Sequence, residues 1–250
     1  MRISKERVRW IAFLLLAVSF ILSSRNVSAF TVPEKLVFDL TWTGIKAGTA
    51  TLEVVNEEGN TKIISTARSA DWLSVFYTVD DRTESVLKGA QVPFVIGLPL
   101  NYRIKVREGR HRRDKEVIFD HAKREATYIN HLENGKKMYE INENSLDPLS
   151  SFYHIRTLKF EVGKSLYVNM FDSEKLWDVE VQVLRKEKIK TELGEFNTVV
   201  IRPLMKSEGI FNKKGDLYIW LTDDLKRIPV KMQTRVIVGS ITATLAGGTY

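Results

Sequence analysis

The sequence predicts an all-β protein, mainly antiparallel, with a curved or barrel-like sheet of about 13–16 strands and one short helix near residues 148–157. Three observations carry this reading. Apolar side chains recur with period two in run after run, the pattern of strands with one buried face. Turn chemistry separates these runs at short intervals. A twisted open sheet rarely exceeds about ten strands, so one this large must curl, close or split into layers.

The first 29 residues read differently from the rest. Residues 1–9 are basic, Trp10–Leu22 is apolar except for Ser19, and Val27-Ser28-Ala29 offers small residues at a cleavage site. This is the layout of a secretory signal peptide cut after Ala29. The apolar run of 13 residues falls short of the roughly 17 that span a bilayer as a helix. The expected organisation is a signal peptide over 1–29 and a single all-β domain over 30–250, located in the periplasm of a diderm bacterium.

Period two is clear along the remaining chain. Leu36, Phe38, Leu40 and Trp42 alternate with polar or smaller residues, as do Ala50, Leu52 and Val54. Trp177–Val183 and Ser240–Leu245 alternate without exception. Val199–Ile201 and Leu217–Leu221 are apolar on both faces, as central or doubly covered strands require. Turns are expected at Thr43-Gly44, Glu58-Gly59, Gly109-Arg110, Asn134-Gly135, Leu193-Gly194 and Lys214-Gly215-Asp216, each with a glycine able to take positive φ. Asp147-Pro148 places a capping acid before a proline at the first helical position, and Leu149, Phe152, Tyr153 and Arg156 follow at helical spacing. A shorter helical turn is expected at Asp71–Phe76.

Composition excludes several classes. Hydrophobic residues make up 44% and charged residues 28% of the chain, an ordinary globular mixture, and there is no cysteine. Disulfides, thiolate metal sites and a cysteine nucleophile are therefore absent. The net charge is +7, but the signal segment holds five basic residues and one acid; without it 33 bases face 30 acids, or +3. That balance does not make the phosphate-tracking surface of a nucleic-acid binder. An outer-membrane barrel is disfavoured too, because Gly248, Ala246, Thr244 and Thr242 do not form a lipid-facing series.

Chemical motifs are few. Gly163-Lys164-Ser165 lacks the first glycine of a phosphate loop, position 158 being Leu158, and a strand-like run follows it. His111, His121, His131 and His154 form no metal-ligand pair by spacing. Neither Gly-x-Ser-x-Gly nor His-Glu-x-x-His occurs. Nothing supports a nucleotide, haem, flavin or metal cofactor. Arg107, Arg110, Arg112, Arg113 and Lys115 make the densest basic run, read as a hairpin tip. Asp81, Arg82, Glu84, Asp147, Arg156 and Asp223 are candidates for a polar network that fixes strand register or orients a ligand. Within it Arg82 and Arg156 are expected as partly buried guanidiniums, with Asp81, Glu84, Asp147 or Asp223 as partners. Trp42, Trp72, Tyr153 and Trp220 are the candidate pocket aromatics.

Several blocks together carry a family resemblance. They are Trp42-Thr43-Gly44-Ile45-Lys46-Ala47-Gly48-Thr49-Ala50, Asp81-Arg82-Thr83-Glu84-Ser85, Phe119-Asp120, Asp147–Tyr153 with Arg156, Gly194–Thr198, and Ile219–Asp224 leading to Arg227–Val230. In this order they resemble the bacterial exported family catalogued as domain of unknown function 3108. The resemblance implies an exported all-β protein and brings no catalytic residues with it.

Three functions compete on these grounds. The first is non-enzymatic binding of a lipid or other apolar ligand in a cavity of the curved sheet, with membrane contact at most peripheral. The second is a scaffolding module that binds an envelope protein or glycan through sheet edges and basic hairpins. The third is a polysaccharide hydrolase using acids such as Asp81, Glu84 or Asp223.

Overall fold

Two hairpins begin the chain's described part. Strand β1 (Glu34–Trp42) turns into β2 (Ile45–Glu57) at Thr43-Gly44, and β2 turns into β3 (Asn60–Ser69) at Glu58-Gly59. Both central residues of each turn have positive φ, 51° and 87° in the first and 51° and 81° in the second. These are the φ signs of type I′ turns, whose twist matches that of the flanking strands. Gly48 has a different reason to be glycine: a Cβ there would lie 2.1 Å from the Arg68 carbonyl oxygen of the neighbouring strand.

The computed structural model describes residues 32–89, 96–172, 174–205, 217–236 and 238–250. The expected signal segment and the expected turn at Lys214-Gly215-Asp216 lie outside them. After β3 come a short helix α1 (Asp71–Ser74) and strands β4 (Asp80–Lys88), β5 (Leu98–Glu108), β6 (His111–Asp120), β7 (Glu125–Asn130) and β8 (Gly135–Glu140). Helix α2 (Pro148–Thr157) follows, then β9 (Ser165–Asp172), β10 (Lys175–Thr191), β11 (Gly194–Met205), β12 (Leu217–Thr222), β13 (Pro229–Arg235) and β14 (Ser240–Thr249).

The 14 strands of the described residues belong to one sheet in the order β8-β7-β6-β5-β4-β3-β2-β1-β14-β13-β12-β11-β10-β9. Every neighbouring pair is antiparallel. The first and last strands pair at the centre, and a meander fans out on either side. The edges β8 and β9 do not pair, yet they face each other across a narrow seam. Leu146, after β8, makes two backbone hydrogen bonds to β9, Leu146 N–H to Asn169 O (3.0 Å) and Phe171 N–H to Leu146 O (2.8 Å). Tyr139 Oη and Lys137 Nζ of β8 donate to Glu174 Oε2 at 2.7 and 3.0 Å. Phe171 of β9 packs into the cluster formed by Tyr102, Val117, Phe119 and Tyr128 from the other half. The sheet is thus a cylinder closed by side chains and one strand-like segment rather than by a continuous ladder.

Helix α2 lies inside this cylinder. Its Leu149 and Phe152 pack against Val54, Ile63 and Leu87 on one meander and against Leu36, Ile228 and Leu245 near the centre. Phe152 and Ile155 also meet Val168, Trp177 and Val181 on the other meander. The helix therefore fills the space that a sheet of this size encloses when it curls.

Candidate ligand cavity

One end of the cylinder is closed by a buried ion pair. Along β1, Glu34, Leu36, Phe38 and Leu40 share one face by the period-two rule, and this face turns inward. Glu34 is 2% and Arg156 1% exposed. Arg156 Nη1 and Nη2 donate to the two Glu34 carboxylate oxygens at 2.8 and 2.7 Å, a bidentate fork. Tyr153 Oη adds a hydrogen bond to Glu34 Oε2 at 3.0 Å. Arg156 Nε and Nη2 also reach the Arg227 and Lys226 carbonyls at 3.0 and 3.1 Å. Burial, with the Glu34 carboxylate alongside, pushes the Tyr153 phenol far above its usual value, so it remains a donor.

A second buried polar cluster starts α2. Asp147 Oδ1 accepts the Leu149 and Ser150 backbone N–H groups at 2.8 and 3.0 Å. Its Oδ2 accepts the Ser85 and Ser150 hydroxyls at 2.6 and 2.9 Å, while Ser150 Oγ accepts the Asp147 N–H at 2.9 Å. This is a reciprocal capping box that also ties the helix to β4. Burial raises the Asp147 carboxyl above its ordinary value, and the four donors oppose that shift.

The opposite end of the cylinder is open. There the inward faces continue past the packed core into a cavity of about 990 Å³ with a predominantly apolar lining. Strand β1 leads from Glu34 at the closed end to Leu40 and Trp42 in the cavity wall. Ala67 of β3 and Leu73, Phe76 and Tyr77 in and after α1 form one side. Val236, Val238 and Ile241, between and within β13 and β14, form another. The Trp42 indole is fixed by donation from Nε1 to Val238 O at 2.8 Å. Few charged groups reach the wall. Asp81 is one of them, and its Oδ1 accepts the Arg107 N–H at 2.9 Å. Burial raises its carboxyl above the usual value, against the pull of that hydrogen bond, with Glu108 and Asp80 adding to the rise.

The six polar residues singled out in the sequence occupy separate places. Arg156 takes its carboxylate from Glu34, which was not among the four expected partners. Arg82 is half exposed and pairs with Glu84 on the outer face of β4, where Glu84 also meets Lys62 at 3.3 Å. The Glu84 carboxyl sits below its usual value: the Arg82 and Lys62 cations outweigh burial, the largest single effect and one of opposite sign. Asp81 points to the cavity, Asp147 caps α2, and Asp223 pairs with exposed Lys186 at 2.7 Å. Period two explains the split on β4, where positions 81 and 84 must face opposite ways.

The four aromatic candidates divide likewise. Trp42 lines the cavity. Trp72 stands on α1 at its rim, with Nε1 donating to Lys46 O at 2.9 Å. Tyr153 is fully buried at the closed end. Trp220 lies on the outer face of β12, since its neighbours Ile219 and Leu221 enter the core. It donates to Glu187 there and stacks beneath Lys231 Nζ at 4.6 Å. Sequence reasoning missed Glu34 and the lining role of Leu73, Val236, Val238 and Ile241. Glu34 had a usable signal, an acid in phase with Leu36, Phe38 and Leu40. Among the described residues no group of His, Asp and Glu side chains is arranged to hold a metal ion.

Comparison with known proteins fits this architecture. The sequence profile of the family described as protein of unknown function (DUF3108) matches residues 37–246. No curated protein matches the chain. The fold is similar to the crystal structure of a β-barrel-like protein of domain of unknown function DUF1849 from Brucella abortus, at 12% identity and a TM-score of 0.55, covering 88% of this chain and 98% of that one. A candidate exported protein with a YmcC-like fold from Bacteroides fragilis also aligns, at 12% identity and a TM-score of 0.33, over 88% of this chain and 97% of that one. Among the described residues no helix is long and apolar enough to cross a membrane.

Proposed function

We propose, from the premise that the chain belongs to the DUF3108 family of proteins of unknown function, that it is an exported, non-enzymatic binding protein that holds a lipid or other apolar ligand in the open end of its cylinder. The observation that carries this is the cavity of about 990 Å³ with its apolar lining. That volume is at the upper end of the range of small-molecule sites, roughly 300–1,000 Å³. A few polar groups at the wall, Asp81 among them, suit the orienting of a headgroup. Export to the periplasm is supported by the layout of residues 1–29.

The competing readings have weaker support. Scaffolding through a free strand edge is opposed by Lys136 and Lys137 on edge strand β8, charges that discourage strand addition. Hydrolysis needs two carboxylates facing each other across a groove, whereas Asp81, Glu84 and Asp223 are dispersed.

The test is native mass spectrometry of protein expressed from the 250-residue sequence, followed by organic extraction and displacement of a fluorescent fatty-acid probe. A solvent-released apolar adduct and saturable probe binding are expected. Ala67→Trp, which places an indole in the cavity, is expected to weaken probe binding about tenfold or more while leaving the circular dichroism spectrum unchanged. Full probe binding by a folded Ala67→Trp variant overturns the reading.

A further inference from the structure

The rim of the cavity carries side chains that folding does not bury. Phe76 is 84% and Val75 79% exposed, and Trp72 and Val238 are exposed beside them. Large apolar groups occur singly on most surfaces, but a cluster around an opening marks a contact site. The lip is a built feature. Ser69 and Ser74 hydroxyls are hydrogen-bonded at 2.7 Å, Phe76 N–H and Tyr77 N–H donate to Leu73 O at 2.9 and 2.7 Å, and Trp72 is held through Lys46 O.

The basic hairpin stands directly against this lip. Gly109 N–H donates to Thr78 O at 2.8 Å, and Gly109 sits so close to the Tyr77 ring that a Cβ would lie 2.8 Å from it. Arg107, Arg110, Arg112 and Arg113 are all exposed. None of the four makes an ion pair among the described residues. Arg107 and Arg112 are direct cross-strand partners, a like-charge pairing that is unfavourable in isolation. Of the nearby acids, Asp80 is engaged by Arg68 at 3.3 Å and Asp81 by the Arg107 N–H. Glu108, Asp71 and Asp81, which also feels the Arg113 cation, are left against four guanidiniums.

We propose that the open end of the cylinder docks on an anionic lipid bilayer, with Trp72, Val75, Phe76 and Val238 entering the interface and Arg107, Arg110 and Arg112 meeting lipid phosphates. Apolar and indole side chains beside cations are the composition that settles at a headgroup boundary. The lip is continuous with the cavity, because Phe76 belongs to both. The inference rests on the binding reading above in one respect: it makes the docked mouth the place where the apolar ligand enters and leaves.

The experiment is flotation of protein expressed from the 250-residue sequence with two kinds of vesicle, phosphatidylcholine alone and phosphatidylcholine mixed with phosphatidylglycerol. Binding of the fatty-acid probe is read in the same samples without vesicles. Partition into the anionic vesicles is expected to exceed that into neutral ones about tenfold or more, and to fall with salt. Arg110→Glu/Arg112→Glu should abolish that preference. Trp72→Ser/Val75→Ser should weaken binding to both vesicles about tenfold. None of these residues lines the cavity, so an unchanged circular dichroism spectrum and unchanged probe binding certify that each variant is folded. Absence of flotation with intact probe binding overturns the docking and spares the cavity. Flotation indifferent to both double variants also overturns it. Lip- and hairpin-dependent flotation without probe binding upholds the docking and overturns the cavity reading instead.

Discussion

Arg156 and Glu34 form a pair from which water is excluded, and their stability depends on having each other. Removing one partner from such a pair typically lowers stability by about 3–5 kcal/mol, because the remaining charge is left buried. Arg156→Met is expected to fall in that range in urea unfolding. Replacing both, Glu34→Leu with Arg156→Met, removes the orphaned charge, and such double replacements approach neutrality when the substitutes pack well. Here the guanidinium also satisfies the Lys226 and Arg227 carbonyls. Buried groups left without a partner cost about 1–3 kcal/mol. The double variant should therefore lie between Arg156→Met and wild type, and a double variant weaker than Arg156→Met would refute this account. At this scale the sequence was half legible. Helical spacing and an expected buried guanidinium pointed to Arg156, but its partner lies 122 positions away, and no local pattern encodes which carboxylate a folded chain brings to it.

Helix α2 was the most legible element, because its start is written in adjacent residues. Asp147 supplies the cap, Pro148 sits where no N–H is needed, and the helix runs over the expected 148–157. What local chemistry could not reveal is that this cap doubles as a tertiary tie to Ser85 on β4. The two roles separate by substitution. Asp147→Ala removes the cap, worth about 1–2 kcal/mol, and strands the Ser85 hydroxyl, adding about 1–3 kcal/mol. A total loss of about 2–5 kcal/mol is expected in thermal or urea unfolding. Asp147→Asn keeps an oxygen for the two backbone donors and turns an NH₂ toward hydroxyls that can rotate to accept. It should stay within about 1 kcal/mol of wild type, Asn and Asp being near equals as caps. Helix α1 was legible as a turn with an apolar side, but not as the lip of a cavity, because that side faces an opening made by strands distant in sequence.

The whole cylinder shows why strand count is easier to read than closure. Period two and turn glycines mark many of the strands from their own residues, and 14 strands are found among the described residues. Closure depends on which distant edges meet, and here they meet without a ladder, through Leu146, Phe171 and the contacts of Glu174. Those contacts predict where the molecule opens first. Strand β8 has a ladder on one side only, and its other side depends on Tyr139 and Lys137 reaching Glu174. The Tyr139 hydroxyl first and the Lys137 ammonium next hold the Glu174 carboxyl below its usual value, outweighing burial and keeping it charged near neutral pH. Glu174 has φ of 67°, a conformation alanine tolerates no better than glutamate, so Glu174→Ala tests the side chain and not the backbone. Hydrogen bonds to a charged group contribute about 1.5–3 kcal/mol when shielded and less when exposed. A loss of about 1.4 kcal/mol in local opening energy corresponds to tenfold faster exchange. In Glu174→Ala the β8 amides should therefore exchange with deuterium about tenfold faster, while those of β2, paired on both sides, keep their wild-type rates. Equal acceleration of both strands would mean that the seam opens only together with the whole cylinder, as one cooperative unit.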